Sequence, residues 1–131
     1  MKQAEREILK SFNELSKLSL IEESFEYSRF DARDKNYIAE IKDRTCHYPE
    51  MLIEFDKYAY NSKYSDINNK RFLYIVNDEE GLYVFNITNL NKDNYDFKWE
   101  WRDMPKYTEF DSDSIIDKYV GYINFNKGTK L

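Results

Sequence analysis

The sequence contains one cysteine, one histidine, three glycines and two prolines in 131 residues. Because Cys46 is alone, no internal disulfide can form, and the chain suits a reducing compartment. Cys46 and the neighbouring His47 cannot supply the set of about four ligands that a structural zinc site needs. Adjacent residues of an extended chain also point apart, which disfavours a Cys–His catalytic pair. We therefore expect both side chains to serve packing or to lie in a loop.

Long apolar runs and an excess of positive charge are also missing. No apolar run approaches the length of a membrane span, and the charged start MKQAEREILK does not resemble a signal peptide. We therefore expect a cytoplasmic protein that makes no membrane contact. The net charge of −5 counts against a general nucleic-acid binder, which is usually basic. A metal nuclease is a partial exception, because its acidic residues cluster at the ion.

Hydrophobic residues make up 41% of the chain and aromatic residues 18%, which excludes a disordered composition. At this length we expect one domain spanning residues 1–131. Its core would cover roughly residues 1–87, and residues 88–131 would add further strands.

Hydrophobic periodicity predicts the elements of the first part of the chain. An amphipathic helix is expected over residues 3–18, with Ile8, Phe12 and Leu15 on its apolar face. Phe25 and Tyr27 alternate with polar residues in a strand that ends near Asp31, and a second strand follows. The second strand is expected over residues 37–44. A helix is expected from Pro49 to near Tyr60, with a core stripe of Leu52, Phe55 and Ala59. The polar segment 61–70 is expected to be a loop or a frayed helix end.

The second part reads mainly as strands. Apolar runs at 71–77 and 82–87 predict a hairpin, and the alternation of YDFKWEWR predicts a half-buried strand over 95–102. Other segments are expected to be loops (88–94 and 104–110), a helical turn (112–117) and a last strand (118–125). Together these elements predict an α+β (mixed α/β) fold with a single central mixed sheet and helices packed on it.

Charged side chains stand out in the hairpin SRFDARDKNYIAEIKDR. Alternation places Ile38, Glu40, Lys42 and Arg44 on one face of the second strand. If Lys35 and Asn36 form a two-residue turn, Asp31 lies directly opposite Glu40. If the loop is the four residues 33–36, Asp31 lies diagonal to Glu40. In either register the Cβ atoms are about 5–8 Å apart on the same face.

Two carboxylates this close repel, and each makes ionisation of the other more costly. A hard divalent cation such as Mg²⁺ relieves that repulsion, since it is held by one or two carboxylates together with waters and substrate phosphate. An adjacent ammonium can orient a water or stabilise charge that develops on a phosphate. The alternative is a solvated face whose Glu–Lys–Asp ion pairs contribute little.

Asp31 followed by Glu40-Ile41-Lys42 resembles the motif of the PD-(D/E)XK nuclease superfamily. This family has an acid near the end of one strand and (Asp/Glu)-x-Lys on the next, and here Phe30 replaces the proline. The resemblance implies a restriction-endonuclease-like core and a site that binds Mg²⁺ or Mn²⁺. Asp31 and Glu40 match the metal-binding acids, and Lys42 matches the lysine near the attacking water. The helix after the Glu-x-Lys strand is expected to flank the site.

Four further residues are candidates for this site. Family members often bring another acid from the first helix, and Glu5 is the best placed; the alternative is a charged residue in a fraying first turn. Arg44 follows Lys42 on the same face and is a candidate phosphate ligand. Lys57 and Tyr58 are candidates to contact a phosphate or a base; the alternative is an ordinary solvated helix face.

The leading hypothesis is a metal-dependent nuclease that hydrolyses phosphodiester bonds in nucleic acid, DNA or RNA, with DNA favoured. Such a small enzyme is expected to act as a homodimer or with a protein partner. The hypothesis predicts that Glu40→Ala or Lys42→Ala abolishes cleavage and leaves the fold intact. The alternatives are an acidic protein-binding inhibitor (an immunity or anti-defence protein or a nucleic-acid mimic) and a catalytically dead nuclease-like fold.

Overall fold

The computed structural model describes residues 1–25, 27–105 and 115–131. These residues form an α+β fold, as predicted. The helices are α1 (Gln3–Ser16), α2 (Phe55–Ile67) and α3 (Ile87–Lys92), with one 3₁₀ turn at Phe125–Lys127. The strands are β1 (Ile21–Glu22), β2 (Ala32–Arg33), β3 (Tyr37–Asp43), β4 (Glu50–Glu54), β5 (Arg71–Asp78), β6 (Gly81–Asn86), β7 (Glu100–Pro105), β8 (Ile115–Asn124) and β9 (Thr129–Lys130).

The larger sheet is mixed and has the strand order β1-β2-β3-β5-β6-β9. β3 and β5 are parallel, with Glu40 opposite Tyr74, and the other neighbouring strands are antiparallel. Parallel strands need a long crossover connection, which β4 and α2 provide here. The strands predicted at 37–44, 71–77, 82–87 and 118–125 are confirmed as β3, β5, β6 and β8, with small shifts of their ends.

A second sheet, antiparallel and with the order β4-β8-β7, was not expected from the sequence. The two faces of the larger sheet have separate cores. On one face α1 packs Ile8, Leu9 and Phe12 against β3 and β5. On the other face, residues of β3, β5 and β6 pack against the smaller sheet and α3: Ile38, Phe72, Tyr74, Val76, Phe85, Met51, Ile53, Ile123 and Leu90. β3 therefore lies between α1 on one side and the smaller sheet on the other, and its Glu40 side chain lies on the side of the smaller sheet.

The β2–β3 hairpin has the two-residue turn that was one of the two predicted registers. Ala32 pairs with Ala39, and Arg33 pairs with Ile38. The Asp34 N–H donates to the Tyr37 carbonyl at 3.0 Å. The Asp34 carboxylate accepts from the Tyr37 N–H at 2.7 Å, which supports the turn in the way typical of aspartate. Asp31 stands just before these paired residues, and its N–H donates to the Ala39 carbonyl, so the direct pairing of Asp31 with Glu40 that was predicted for this turn is not seen.

The predicted helix from Pro49 to Tyr60 is wrong in its first half. Residues Glu50–Glu54 form β4, in which Met51 and Ile53 are buried and Leu52 is half-buried. Buried residues therefore recur at every second position of this segment, as in a strand, because β8 supplies hydrogen-bond partners along β4. Helix α2 begins only at Phe55.

Helix α2 continues to Ile67, so most of the segment 61–70, which was predicted to be a loop or a frayed helix end, belongs to a regular helix, and residues 68–70 lie beyond it. Two of its polar side chains are buried: the Asn61 side-chain amide donates to the Arg29 carbonyl at 2.9 Å, and the Ser65 hydroxyl donates to the Ser62 carbonyl at 2.9 Å. Asn61 Oδ1 has no hydrogen-bond partner among the described residues. Buried polar side chains with such partners are compatible with a packed helix. The polarity of this segment therefore did not distinguish a loop from the packed end of a helix.

Other predictions are corrected at the sheet edges. Phe25 and Tyr27 are 64% and 77% exposed and lie outside β1 and β2, and Leu15 of α1 is 56% exposed. Helix α1 otherwise matches its prediction. The segment 88–94 lies mostly in α3 rather than in a loop.

The strand predicted at 95–102 begins only at Glu100, because Lys98 has a φ of 54° that interrupts an extended chain. Residues 115–117, predicted as part of a helical turn, belong to β8, and residues 104–105, predicted as loop, belong to β7. The rest of these two predictions, residues 106–110 and 112–114, lies outside the described residues.

Over the described parts of the chain, no helix combines the length and the hydropathy that crossing a membrane requires.

Candidate active site

Asp31 and Glu40 lie close together in the β2–β3 hairpin, beside the core between the larger and the smaller sheet. Glu40 is 4% exposed. Asp31 is half-buried, and its Oδ2 accepts a hydrogen bond from the Ile41 N–H at 2.7 Å. The chain is held here by the Asp31 N–H, which donates to the Ala39 carbonyl at 2.8 Å. These two hydrogen bonds fix Asp31 beside β3, close to Glu40.

The two carboxylates influence each other electrostatically. Burial raises the pKa of Asp31, and the negative charge of Glu40 raises it further. The hydrogen bond from Ile41 lowers this pKa and Glu5 raises it, so that it reaches about 6 instead of the ordinary 3.8. A carboxyl group in this state has an environment that would favour an added positive charge.

Two lysines approach Glu40 from different elements. Lys57 of α2 donates from Nζ to Glu40 Oε1 at 2.8 Å, and Lys42 Nζ lies 3.6 Å from the same oxygen. Burial lowers the pKa of Lys42; the attraction of Glu40 opposes this effect, and the positive charges of Lys57 and Arg44 add to it. Burial also lowers the pKa of Lys57, but the charge and hydrogen bond of Glu40 outweigh it and leave that pKa above its usual value. Lys57 is therefore the closer partner, and Lys42 is the lysine that loses its proton more readily.

A small cleft of about 20 Å³ lies beside these groups and is lined by Glu40, Lys42, Arg44, Ile53, Glu54, Lys57, Phe72, Tyr74 and Met104. This volume is close to that of one water molecule. Arg44 Nε is buried here and has no hydrogen-bond partner among the described residues. A buried guanidinium donor without a partner is costly, so it is suited to an incoming anion.

Tyr74 and the Glu54–Lys118 pair complete the surroundings of the cleft, and sequence reasoning did not identify them. Burial raises the pKa of Tyr74 to about 12, and its hydroxyl donates to the Leu52 carbonyl at 3.1 Å. Lys118 Nζ lies 2.9 Å from Glu54 Oε1. The tyrosine within the apolar run RFLYIVN was the only local indication in the sequence that Tyr74 brings a hydroxyl group to this site. Nothing in the sequence indicated the Glu54–Lys118 ion pair, because that pair depends on the pairing of β4 with β8.

Asp31 and Glu40 are suitable ligands for a divalent metal, since Mg²⁺ is often held by only two protein carboxylates. The raised pKa of Asp31, caused first by burial and then by the negative charge of Glu40, supports that fit. Within residues 1–25, 27–105 and 115–131, no three His, Cys, Asp or Glu side chains lie close enough to hold an ion together. Glu5 is half-buried and acts on Asp31 through its charge, but it does not complete a three-ligand set.

Tyr58 lies away from Glu40 and is used for packing. Its hydroxyl donates to Asn91 Oδ1 at 2.6 Å. Its ring centroid lies 4.9 Å from that of Phe97 and 4.8 Å from that of Trp99. The structure thus brings Asp31, Glu40, Lys42, Arg44 and Lys57 together and leaves Tyr58 in the aromatic core.

His47 and Cys46 lie in the loop after β3. His47 Nδ1 is 2.8 Å from Asp78 Oδ2, and Nε2 is 2.9 Å from Glu80 Oε2. The imidazole also packs on Phe125, with ring centroids 4.3 Å apart. Cys46 is exposed. These contacts tie the β3–β4 loop to the β5–β6 turn.

A larger cavity of about 450 Å³ adjoins the small cleft. The two share Arg44 and Met104. Its other walls include Tyr48, Arg102 and Tyr122. This volume lies in the range of ligand pockets, and Arg44 stands between it and Glu40.

Comparison with known proteins adds no family to this geometry. No protein-family model matches the sequence, and no curated protein matches it either.

Proposed function

We propose that this protein is a metal-dependent nuclease of the PD-(D/E)XK type, which hydrolyses phosphodiester bonds in DNA or RNA. One observation carries the proposal: the β2–β3 hairpin brings Asp31 close enough to Glu40 for the charge of Glu40 to act on it, and two lysines lie beside Glu40. The proposal includes a restriction-endonuclease-like core. In support, the acid precedes β2, the Glu-x-Lys sequence lies on β3, and α2 flanks the site.

Asp31 and Glu40 would hold Mg²⁺ or Mn²⁺ in this proposal. The ion, when bound, supplies charge that stabilises the phosphate in the transition state and the leaving oxygen. Lys57 now donates to Glu40 Oε1. We expect this ammonium to move away from Glu40 when a metal binds, and to turn toward the negatively charged backbone of the substrate.

Lys42 positions the attacking water. Its lowered pKa makes the neutral amine, which can accept a proton, easier to reach near neutral pH. Arg44 binds phosphate, because its buried Nε has no other partner among the described residues and a guanidinium donates readily to phosphate oxygens.

The substrate would approach through the larger cavity. The small cleft at Glu40 accommodates about one water molecule, whereas the neighbouring cavity of about 450 Å³ carries Arg44 and Arg102. Met104 separates the two spaces, so we expect it to move when a phosphate reaches Glu40. Nucleic acid, with DNA favoured, is the partner in this proposal, and the cytoplasm is the compartment.

A second candidate function is protein binding, as an inhibitor or as a nuclease-like fold without activity. The observation in its favour is exposed apolar surface on β7 and β8: Trp101 and Ile115 are 70% and 69% exposed. Contiguous exposed apolar surface is typical of protein-binding sites, and the Trp101 ring lies 5.1 Å from that of Tyr119 on the neighbouring strand. The net charge of −5 would suit a basic partner.

The test combines calorimetric titration of Mg²⁺ and Mn²⁺ with a plasmid-nicking assay on the same samples. The variants are Glu40→Gln and Lys42→Ala, and the control is Glu50→Gln, which changes an exposed carboxylate on β4. Glutamine keeps the volume of Glu40, whereas alanine would leave two lysines beside an empty buried position. We expect Glu40→Gln to lose both metal binding and nicking, Lys42→Ala to bind metal without nicking, and the control to match wild type.

Two outcomes would decide against the nuclease. Nicking that survives both Glu40→Gln and Lys42→Ala would remove the proposed mechanism. Wild-type protein that binds neither Mg²⁺ nor Mn²⁺ would favour the protein-binding function, and a search for basic protein partners would follow.

A further inference from the structure

Strand β7 forms one edge of the smaller sheet. In the order β4-β8-β7 it pairs with β8 alone among the described residues. Its first four residues, 100–103, are all exposed. An exposed strand edge presents unpaired N–H and C=O groups and is a template for another strand. β7 is therefore suited to pair with a further strand.

Strands β7 and β8 expose large apolar side chains and carry no excess of positive charge. Trp101 and Ile115 are 70% and 69% exposed, and Ile116 is 41% exposed. Its charged residues are mixed in sign: Glu100, Asp103 and Asp117 against Arg102 and Lys118. Nucleic-acid surfaces carry an excess of positive charge, so a protein strand is the better occupant.

The sequence of β7 is complementary to itself when the strand runs antiparallel. When Trp101 of one chain lies opposite Trp101 of the other, Glu100 of each chain lies opposite Arg102 of the other. The two-fold axis therefore has one Glu–Arg pair on each side. Pairings centred on Glu100 or Arg102 would instead put like charges opposite each other, which destabilises a sheet. Charge complementarity therefore selects one register and identifies the partner as a second copy of this chain.

We propose that β7 pairs with β7 of a second copy across a two-fold axis at Trp101. The resulting antiparallel sheet joins the three strands of each copy, and the interface is self-complementary, as two-fold symmetry requires. Within each chain the Trp101 ring lies 5.1 Å from that of Tyr119. Pairing extends this contact into a row of four aromatic rings, a favourable cross-strand arrangement.

The charged side chains on the other face are already held in place. The Tyr122 hydroxyl donates to Glu100 Oε1 and accepts from Arg102 Nη1 at 3.4 Å. This arrangement reduces the entropy lost when the two chains pair. Arg102 also lines the cavity proposed for the substrate, but oligomeric state is measured without reference to cleavage, so the assembly can be tested independently of nuclease activity.

Oligomeric state tests the proposal by light scattering on a size-exclusion column over a range of concentrations. We expect wild-type protein to be dimeric, and Glu100→Arg and Arg102→Glu to be monomeric, because each change creates like-charge pairs across the axis. The double variant Glu100→Arg with Arg102→Glu should recover the dimer, because it restores opposite charges. Ile21→Lys, a change at an exposed residue on β1, is the control and should remain dimeric.

A cross-link tests the register. In a Cys46→Ser background, Trp101→Cys should form a disulfide-linked dimer on oxidation, since directly opposed Cβ atoms in a sheet lie within about 4.5–5.5 Å. Ile21→Cys in the same background should remain unlinked. Monomeric wild-type protein, or a double charge variant that stays monomeric while each single variant is folded, would overturn the proposal.

Discussion

Glu40 is the residue on which the site depends, and its environment is unusual for a carboxylate. It is 4% exposed and contacts the ammonium groups of Lys57 and Lys42. Burying charges costs free energy that pairing only partly offsets. Such a group is retained more readily for chemistry than for stability, because an apolar side chain of similar volume would pack in this core at lower cost.

Asp31 yields a prediction about pH. Its pKa of about 6 in the folded protein lies above the ordinary 3.8, so the folded state binds the proton more tightly than the unfolded state. The free energy of unfolding therefore falls as pH rises from about 4 to about 6, by at most about 3 kcal/mol. We expect Asp31→Asn to be more stable than wild type at pH 7 and to lose that advantage near pH 4, as measured by urea unfolding at both pH values.

The Asp31→Asn variant has an internal check. The introduced amide keeps an oxygen that can accept from the Ile41 N–H, so the backbone contact does not confound the comparison. Mn²⁺ should stabilise wild-type protein and not the variant, because a ligand that binds only the folded state raises its stability. An equal stability difference at pH 4 and pH 7 would contradict the electrostatic cause.

At the scale of elements, the segment from Pro49 to Ile67 shows where sequence reasoning succeeded and where it failed. Strand β3 could be predicted because alternation is a local property of its own residues. β4 could not, because Met51 and Ile53 are buried by Ile123, Phe72 and other residues distant in sequence. A segment of five residues is too short to distinguish the period of two of a strand from the period of 3.6 of a helix. Pairing with β8 decided that the segment forms a strand.

This difference can be measured with two alanine variants. Ile53 is 1% exposed and Leu52 is only half-buried. We expect Ile53→Ala to lower the free energy of unfolding by about 3 kcal/mol and Leu52→Ala by about 1 kcal/mol. A larger cost at Leu52 in denaturant titrations would favour the helical stripe of Leu52 and Phe55 over the strand.

For the whole molecule, the distribution of charge matters more than its sum. The net charge is −5, but the four cations Lys42, Arg44, Lys57 and Lys118 lie near the site with the carboxylates of Asp31, Glu40 and Glu54. Such a small positive surplus allows only a few phosphate contacts, and a metal at the carboxylates would increase it. The acidic composition is therefore compatible with the proposed nuclease, for which we expect only a few phosphate contacts.

Salt dependence tests this distribution. We expect DNA binding, measured by anisotropy in Ca²⁺ to prevent cleavage, to show a slope of log K against log[salt] of about −1 to −3, since each phosphate contact contributes about −0.9. Arg44→Ala should weaken binding and make the slope shallower by about one unit. Lys10→Ala, a change at an exposed residue of α1, is the control. A slope near −6 would indicate a basic surface that the described residues do not provide.

The sequence by itself determined the face shared by Glu40, Lys42 and Arg44 and the two possible registers of Asp31, because alternation along a strand and the chemistry of a short turn are local. It also excluded an internal disulfide. Only the tertiary structure decided that Lys57 contacts Glu40, that Tyr58 packs among aromatic rings, that β4 pairs with β8, and that Trp101 is exposed on the edge strand β7. Burial and pairing depend on residues distant in the chain, and no local periodicity encodes which distant surface will cover a given side chain.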